Sequence, residues 1–141
     1  MADVHSKNTR SYNMSRIKGK DTKPELLVRK YLHSKGFRYR LHSTSIIGKP
    51  DIVLPKYKTL IFVHGCFWHG HTGCKYATIP KTRTEWWMAK IQRNSLNDAK
   101  VTAQLVDNGW HVVQVWECEL KPKTREETLI ALVHRLESLN P

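Results

Sequence analysis

The sequence lacks a run of about 20 apolar residues, and it lacks an apolar segment near its start. It therefore predicts neither a membrane-spanning helix nor a secretory signal peptide. It contains only three cysteines, an odd number that cannot all pair within one chain. We therefore predict a cytoplasmic protein without disulfides, whose cysteines are more suited to binding a metal.

Acidic residues are also scarce, with 12 Asp and Glu against 24 Lys and Arg, for a formal net charge of +12. A cationic excess of this size favours a polyanionic partner, because contacts with phosphates release counterions. A soluble basic protein without such a partner is the alternative. The five tryptophans and the hydrophobic fraction of 40% indicate a folded domain, and together with the charge they favour a nucleic acid.

The chain is most simply one domain preceded by an arm, because 141 residues can bury a core of their own. Residues 1–20 are basic and polar, and we predict that they form an N-terminal arm that contacts the nucleic acid. Residues 21–141 would form the single domain. A disordered tail is the alternative reading of the arm.

The pattern of apolar residues predicts an α/β fold. We expect a helix that begins at Thr22 and ends at Gly36, and two further helices over 84–108 and 124–139. Strands are expected at 37–41, 50–54, 59–64 and 110–116. The second and third of these strands should form an antiparallel hairpin, and the helix before the last strand permits a central mixed sheet flanked by helices.

The segment after the third expected strand, from Gly65 to Lys81, concentrates residues that bind metals. Its spacing of cysteine and histidine is typical of a tetrahedral structural zinc site, and a more distant cysteine could close that site. His69 could replace one ligand, and ordinary buried thiols are the alternative. The expected zinc ligands are Cys66, His71, Cys74 and Cys118.

A second group of residues suits acid–base and Mg²⁺ chemistry. Asp51 begins one strand of the expected hairpin and His64 ends the other, so the hairpin can bring them to one site. A carboxylate suits Mg²⁺, and His64 and His69 can transfer protons near neutral pH. Glu25 could supply a second carboxylate or orient a histidine. Each of these residues also has an ordinary structural reading, which for Glu25 is the capping of its helix.

The order and spacing of several motifs resemble the very-short-patch-repair (Vsr) DNA mismatch endonucleases. The resemblance runs from near the N-terminus to about Leu120, and its most specific part is Gly-Cys-Phe-Trp-His at 65–69. It implies a restriction-endonuclease-like fold with a structural zinc loop. The motifs that carry it are Met14 to Glu25, Lys49-Pro50-Asp51, Phe62 to His69, Arg83-Thr84-Glu85 and Trp116-Glu117-Cys118.

The resemblance also implies roles for individual residues. Asp51 and the backbone carbonyl of Val63 would bind Mg²⁺, and His69 would be the general base, supported by His64 and Glu25. Val63 stands where a Thr is common among relatives, which is tolerable if only its carbonyl binds the metal. The residues expected to contact DNA are Met14, Arg16, Lys18, Lys20, Phe67, Trp68 and Trp87, with Met14 and the aromatic residues entering the base stack.

The function implied by the resemblance is a Mg²⁺-dependent nick 5′ to the T of a T·G mismatch left by deamination of 5-methylcytosine. The enzyme would act as a monomer in the bacterial cytoplasm, associated with the nucleoid when bound, and with helper proteins of mismatch repair as further partners. Two alternatives remain open: a restriction-like endonuclease that cuts matched DNA, and a zinc-ordered DNA-binding module without catalysis.

Overall fold

The computed structural model describes residues 22–139 and has the expected α/β architecture. Short 3₁₀ turns lie at Pro55–Tyr57, Lys75–Ala77 and Glu117–Leu120. None of the helices described in this range is long and apolar enough to cross a membrane. The main elements in chain order are α1 (Lys23–Ser34), β1 (Arg40–Leu41), β2 (Ile52–Leu54), β3 (Thr59–His64), α2 (Thr84–Asp107), β4 (His111–Trp116) and α3 (Arg125–Ser138).

The strands form one four-stranded mixed sheet with the order β1-β2-β3-β4. β2 and β3 pair antiparallel, with Val53 opposite Leu60, which confirms the predicted hairpin. β3 and β4 pair parallel, with Ile61 opposite Val113. A parallel pair needs a crossover connection, and α2 supplies it. The predicted mixed sheet is therefore confirmed.

The first predicted strand is largely absent, because only Arg40–Leu41 of the expected 37–41 joins the sheet. Phe37 instead completes the end of α1: its backbone N–H donates to the carbonyl of Leu32 at 3.1 Å, and its side chain enters the core. Gly36 adopts the left-handed backbone that this helix ending favours. An N–H that closes a helix is not available to a strand ladder.

The sheet carries apolar layers on both faces, because alternate residues of each strand point to opposite sides. On one side, Val28 and Leu32 of α1 and Leu132 of α3 pack against Ile61 of β3. On the other side, Leu105 of α2 packs with Val53 and Leu60. The site described below lies at the ends of β2 and β3, between these layers.

Candidate active site and metal centre

Asp51, which immediately precedes β2, is held against the end of β3. Its Oδ2 accepts a hydrogen bond of 2.7 Å from the backbone N–H of Val63. Burial raises the pKa of Asp51 to about 6 because desolvation disfavours the charged carboxylate; the Val63 N–H opposes this shift and the nearby Glu25 carboxyl adds to it. A bound cation would stabilise the ionised form, so this carboxylate fits a divalent metal.

Glu25 reaches the same site from α1. The backbone N–H of Glu25 donates a hydrogen bond of 3.4 Å to the hydroxyl of Thr22, which confirms the predicted start of the helix. Its carboxylate, almost fully buried, lies 3.0 Å from Nη1 of Arg29 and 2.8 Å from Nε2 of His42. Ligand atoms of Glu25, His42 and Asp51 lie within 4.8 Å of one another. Glu25 therefore belongs to the site as well as to its helix.

The two predicted catalytic histidines form a stacked pair. The ring centroids of His64 and His69 are 3.9 Å apart and their planes differ by 3°. His69 Nδ1 lies 2.6 Å from Oδ2 of Asp98 on α2. A carboxylate that accepts from Nδ1–H leaves the lone pair on Nε2, which is the protonation state of a general base.

His64 is buried, and burial lowers its pKa to about 4; the neighbouring His69 adds to this shift, whereas Asp98 opposes it. It is therefore neutral near pH 7. Within residues 22–139, its Nδ1 is the one buried side-chain nitrogen or oxygen atom without a hydrogen-bond partner. A buried polar atom of this kind costs free energy unless something binds to it, so it fits a site for a polar substrate.

His64, His69 and Asp98 also have ligand atoms within 4.8 Å of one another, but their arrangement does not suit a shared ion. Imidazole lone pairs lie in the plane of the ring. Two parallel stacked rings therefore direct their lone pairs along parallel planes and cannot converge on one metal. The geometry favours proton transfer at these histidines, and the group that could hold a metal is the one that contains Asp51.

Asp51, His64, His69 and Asp98 line one cavity of about 200 Å³. The hairpin thus brings the predicted carboxylate and histidines to one site. Lys49 also lines the cavity, so a cation stands beside the acidic groups. A site that combines a carboxylate, a base with its own orienting carboxylate, and a cation has the groups that phosphodiester hydrolysis requires.

The four predicted zinc ligands come together in a group of their own, separate from the histidine pair. Ligand atoms of Cys66, His71, Cys74 and Cys118 lie within 4.8 Å of one another. Sγ of Cys118 is 3.4 Å from Nδ1 of His71, close to the spacing of about 3.6 Å expected for sulfur and nitrogen on one tetrahedral zinc. The four residues therefore fit a structural metal. His69, bonded to Asp98, is not part of this group, which favours His71 as the nitrogen ligand.

Two features support the metal-binding group. The ring of His71 stacks on Trp116 at 4.1 Å, which fixes the imidazole plane. Burial, together with the other two cysteines, raises the pKa of Cys118 to about 12. A thiol in these surroundings becomes a thiolate only when a cation lies beside it, and metal binding supplies that charge.

The loop after β3 is anchored to α2 by hydrogen bonds and close packing. Nδ2 of Asn94 donates to the carbonyl of Trp68 at 2.9 Å, and Oγ of Ser95 donates to the carbonyl of His69 at 3.0 Å. Gly70 has a φ of +62°, and a Cβ there would lie 2.7 Å from Cγ2 of Ile91. A glycine is required at this position because the backbone runs directly against the helix.

The three predicted DNA-contacting aromatics and one further tryptophan form a cluster beside the histidines, in which Trp68 and Trp86 are exposed and the other two rings are half-buried. We call it the aromatic cluster: Phe67, Trp68, Trp86 and Trp87. Ring centroids of Phe67 and Trp87 are 5.4 Å apart, and those of Trp68 and Trp87 are 5.8 Å apart. Trp68 remains 42% exposed, so it is not part of the core. The predicted contacts Met14, Arg16, Lys18 and Lys20 lie outside the described residues.

Comparison with known proteins decides the family. Residues 2–75 match the family of the DNA mismatch endonuclease Vsr. The chain belongs to the Vsr family of DNA mismatch endonucleases. It is 50% identical over 123 residues, or 87% of each chain, to the type II nicking enzyme V.NmeAIP of Neisseria meningitidis serogroup A.

Two further relatives cover most of this Vsr-family chain. It is 47% identical over 120 residues to the type II nicking enzyme V.XorIIP of Xanthomonas oryzae, covering 85% of this chain and 88% of the relative. It is 43% identical over 137 residues to the DNA mismatch endonuclease Vsr of Escherichia coli K12, covering 97% and 86%. Membership of this family makes the chain a DNA-nicking endonuclease.

Three residues of this Vsr-family site were not predicted from the sequence. Asp98 interrupts the apolar face of α2 at helical spacing from Ile91, and that break was its signal. Trp86 stacks edge-on against Trp87 at 4.8 Å and could have been found as its exposed neighbour. His42 follows β1 and gave no signal, because only the pairing of β1 with β2 brings it to Asp51.

Proposed function

We propose that this Vsr-family endonuclease nicks one strand 5′ to the T of a T·G mismatch left by deamination of 5-methylcytosine, and so initiates very short patch repair. One observation carries the proposal: the exposed Trp68 of the aromatic cluster directly precedes His69, which faces Asp98. The rings that would insert into the base stack are therefore next in sequence to the histidine that would activate water. A wobble pair is deformed at a cost of only a few kcal/mol, so such rings favour the mismatch.

We propose Mg²⁺ as the catalytic ion, bound by Asp51 and the backbone carbonyl of Val63, with Glu25 close by. When bound, the ion would neutralise the charge that develops on the phosphate. The raised pKa of Asp51 and its hydrogen bond from the Val63 N–H support this assignment. The protein contributes a fixed carboxylate held at the end of a strand.

In the proposed reaction, His69 is the general base. Its Nε2 would accept the proton of the attacking water while Asp98 holds Nδ1–H and stabilises the imidazolium that forms. His64 would keep the ring of His69 in plane by stacking and, being neutral near pH 7, would offer a polar nitrogen without adding a positive charge.

The remaining assignments concern the fold and the wider DNA contact. We propose structural zinc at Cys66, His71, Cys74 and Cys118, which would hold the loop that carries the aromatic cluster. We also propose that the mixed sheet is the core of a restriction-endonuclease-like fold in a monomeric domain. The N-terminal arm would contact DNA through its basic residues, and helper proteins of mismatch repair would be further partners.

A nicking assay tests the proposal. The substrates are otherwise identical duplexes with a T·G, an A·C or no mismatch, incubated with Mg²⁺ or with EDTA. We expect one nick, in the T strand of the T·G duplex, that requires Mg²⁺. Equal cutting of matched DNA would favour the restriction-like alternative, and binding without cutting would favour the non-catalytic alternative.

Two variants refine the assay. Asp51→Ala should abolish nicking and leave DNA affinity largely intact, because it removes the metal ligand. His69→Ala should do the same if His69 is the base. A merely small loss in the single-turnover rate of His69→Ala would move that role to His64.

A further inference from the structure

His42 contacts two residues of the proposed site, the side chain of Glu25 and the backbone of Asp51. Its Nε2 lies 2.8 Å from Oε2 of Glu25, and its backbone N–H donates to the carbonyl of Asp51 at 3.2 Å. The contact with Asp51 follows from the antiparallel register: Leu41 is opposite Ile52, so His42, which follows Leu41, lies opposite Asp51, which precedes Ile52. The short strand β1 thus brings one residue against both acids.

The backbone of His42 is adapted to this position. Its φ is +47°, in the left-handed region that most side chains avoid and that His, Asn and Asp enter more readily. A left-handed residue directly after β1 turns the chain away from the sheet. The side chain is half-buried, and it reaches Glu25, which lies 17 positions earlier in the sequence.

We propose that His42 is a positioning residue that holds the Glu25 carboxylate toward Asp51 and thereby sets the affinity of this site for its divalent cation. The inference rests on the proposed role of Asp51 as a metal ligand. Oε2 of Glu25 also lies 3.0 Å from Nη1 of Arg29, so the same oxygen is contacted from its own helix and from the end of β1. Groups that orient metal-binding residues are commonly worth about ten- to hundredfold in metal affinity.

Three substitutions separate the side chain from the backbone. His42→Gln keeps an N–H donor of similar reach. His42→Asn tolerates the left-handed backbone but is too short to reach Glu25. His33→Asn makes the same chemical change at an exposed position in the last turn of α1 and is the matched control. Each variant is made in the full chain and tested as the purified protein.

Two measurements are made on each variant. The first is the Mg²⁺ concentration for half-maximal nicking, with DNA affinity in EDTA as a folding control. The second is Mn²⁺ binding to the protein alone, followed by electron paramagnetic resonance. For His42→Asn we expect both the half-maximal Mg²⁺ concentration and the Mn²⁺ dissociation constant to rise about ten- to hundredfold, with DNA affinity unchanged. His42→Gln and His33→Asn should stay close to the wild type.

Two outcomes would overturn the inference. Unchanged metal affinity in His42→Asn would show that Glu25 is held without this side chain. An equal loss in His42→Gln, larger for Mn²⁺ than for Mg²⁺, would make the imidazole a metal ligand instead of a positioning group. If the wild-type protein does not nick, the proposed function fails, and Mn²⁺ binding still decides whether His42 acts on the site.

Discussion

His69 Nδ1 lies 2.6 Å from the Asp98 carboxylate, so a residue of α2 orients an imidazole that belongs to the loop after β3. The pair connects two elements separated by 29 positions in sequence. Ser95 holds the backbone of His69 from the same helix, one turn before Asp98. The orientation of the proposed base therefore depends on how the loop docks on α2.

We expect Asp98→Asn to lower the single-turnover nicking rate about a hundredfold. The amide carries no charge, so it cannot stabilise the imidazolium that forms when His69 accepts a proton, and it can also turn its NH₂ toward Nδ1. The affinity for T·G DNA should change little, because the side chain lies in the cavity and not on the exposed surface of the aromatic cluster. Rapid-quench kinetics at saturating Mg²⁺ measure the effect.

Asp107→Asn is the matched control, because it removes the same charge from the exposed last turn of α2. It should nick at the wild-type rate. An Asp98→Asn enzyme as fast as this control would mean that His69 does not need the carboxylate, and the role of base would then pass to another group.

Asp51 should lower the stability of the protein at neutral pH. Its folded-state pKa is raised from 3.8 to about 6, so its contribution to stability is complete below pH 3.8 and is lost as the pH rises through about 6. At pH 7.5 without divalent metal, Asp51→Asn should raise the free energy of unfolding by about 1 to 2 kcal/mol, allowing for solvent screening. The gain should shrink as the pH falls from 6 toward 4.

Thermal melts of both proteins between pH 4 and 8 test this expectation, with Asp107→Asn correcting for the change in net charge. Added Mg²⁺ should reduce the difference in melting temperature between Asp51→Asn and the wild type. Only the wild type keeps the proposed metal ligand, and a ligand that binds only the folded state stabilises that state. A variant that melts below the wild type at every pH would mean that the ionised carboxylate is favourably held, contrary to the raised pKa.

Local sequence patterns predicted most of the fold. Thr22 and Gly36 bounded α1, and two apolar segments spaced around the Pro-Lys-Tyr-Lys turn at 55–58 predicted the hairpin, because caps and turns are encoded within a few residues. The strand predicted at 37–41 was wrong over its first three residues, also for a local reason, and only Arg40–Leu41 joins the sheet. The N–H of Phe37 completes the helix ending, and the sequence alone did not show that this use would compete with the sheet.

Most predicted members of the site share one hairpin or the loop that follows it, with Glu25 on α1 and Cys118 after β4 as the exceptions. The members that were missed lie elsewhere in the sequence. Asp51, His64 and His69 are brought together by β2, β3 and the residues that follow. Asp98 and His42 depend on the docking of α2 and on the pairing of β1, which are tertiary relationships. A polar residue on an apolar helix face, such as Asp98, is the kind of signal that can still be read.

We expect one zinc ion per chain. Cys118→Ser should lower the zinc content and reduce the free energy of unfolding by about 2.5 to 4 kcal/mol, a one-ligand share of the roughly 10 to 16 kcal/mol that a four-ligand structural zinc contributes to folding. The reason is that Cys118 joins the 3₁₀ turn after β4 to the loop ligands, and its backbone N–H also lies 3.3 Å from Sγ of Cys66. Elemental analysis and thermal melts measure the two effects.

Titration of free thiols can contradict the predicted zinc site. If the purified wild-type protein contains no zinc and all three cysteines react readily with a thiol reagent, the group is an ordinary set of thiols. Zinc retained at full stoichiometry by Cys118→Ser, with an unchanged melting temperature, would remove Cys118 from the ligand set while leaving the other three in place.

The aromatic cluster should determine mismatch preference separately from DNA affinity. Water does not favour exposed rings such as Trp68 and Trp86, at 42% and 43% exposure, unless a partner covers them. Two cationic groups also stand over the Trp86 ring, with Arg83 at 4.7 Å and Lys90 at 5.5 Å from its centroid. The surface thus presents aromatic faces beside positive charge, which suits base stacking next to phosphates.

The double change Phe67→Ala and Trp68→Ala should therefore reduce the preference for T·G over matched duplex by about tenfold or more, since each stacked ring is worth about 1 to 3 kcal/mol. Affinity for matched DNA should fall less, because Lys and Arg supply the salt-dependent background. Titrations of both duplexes at one salt concentration measure the ratio of the T·G affinity to the matched-duplex affinity, and the melting temperature is the folding control. The matched variant is Tyr76→Ala, which removes an exposed ring beside Lys75 and Lys121. An unfolded double variant would assign these rings to the core, and a folded one with undiminished T·G preference would exclude them from recognition.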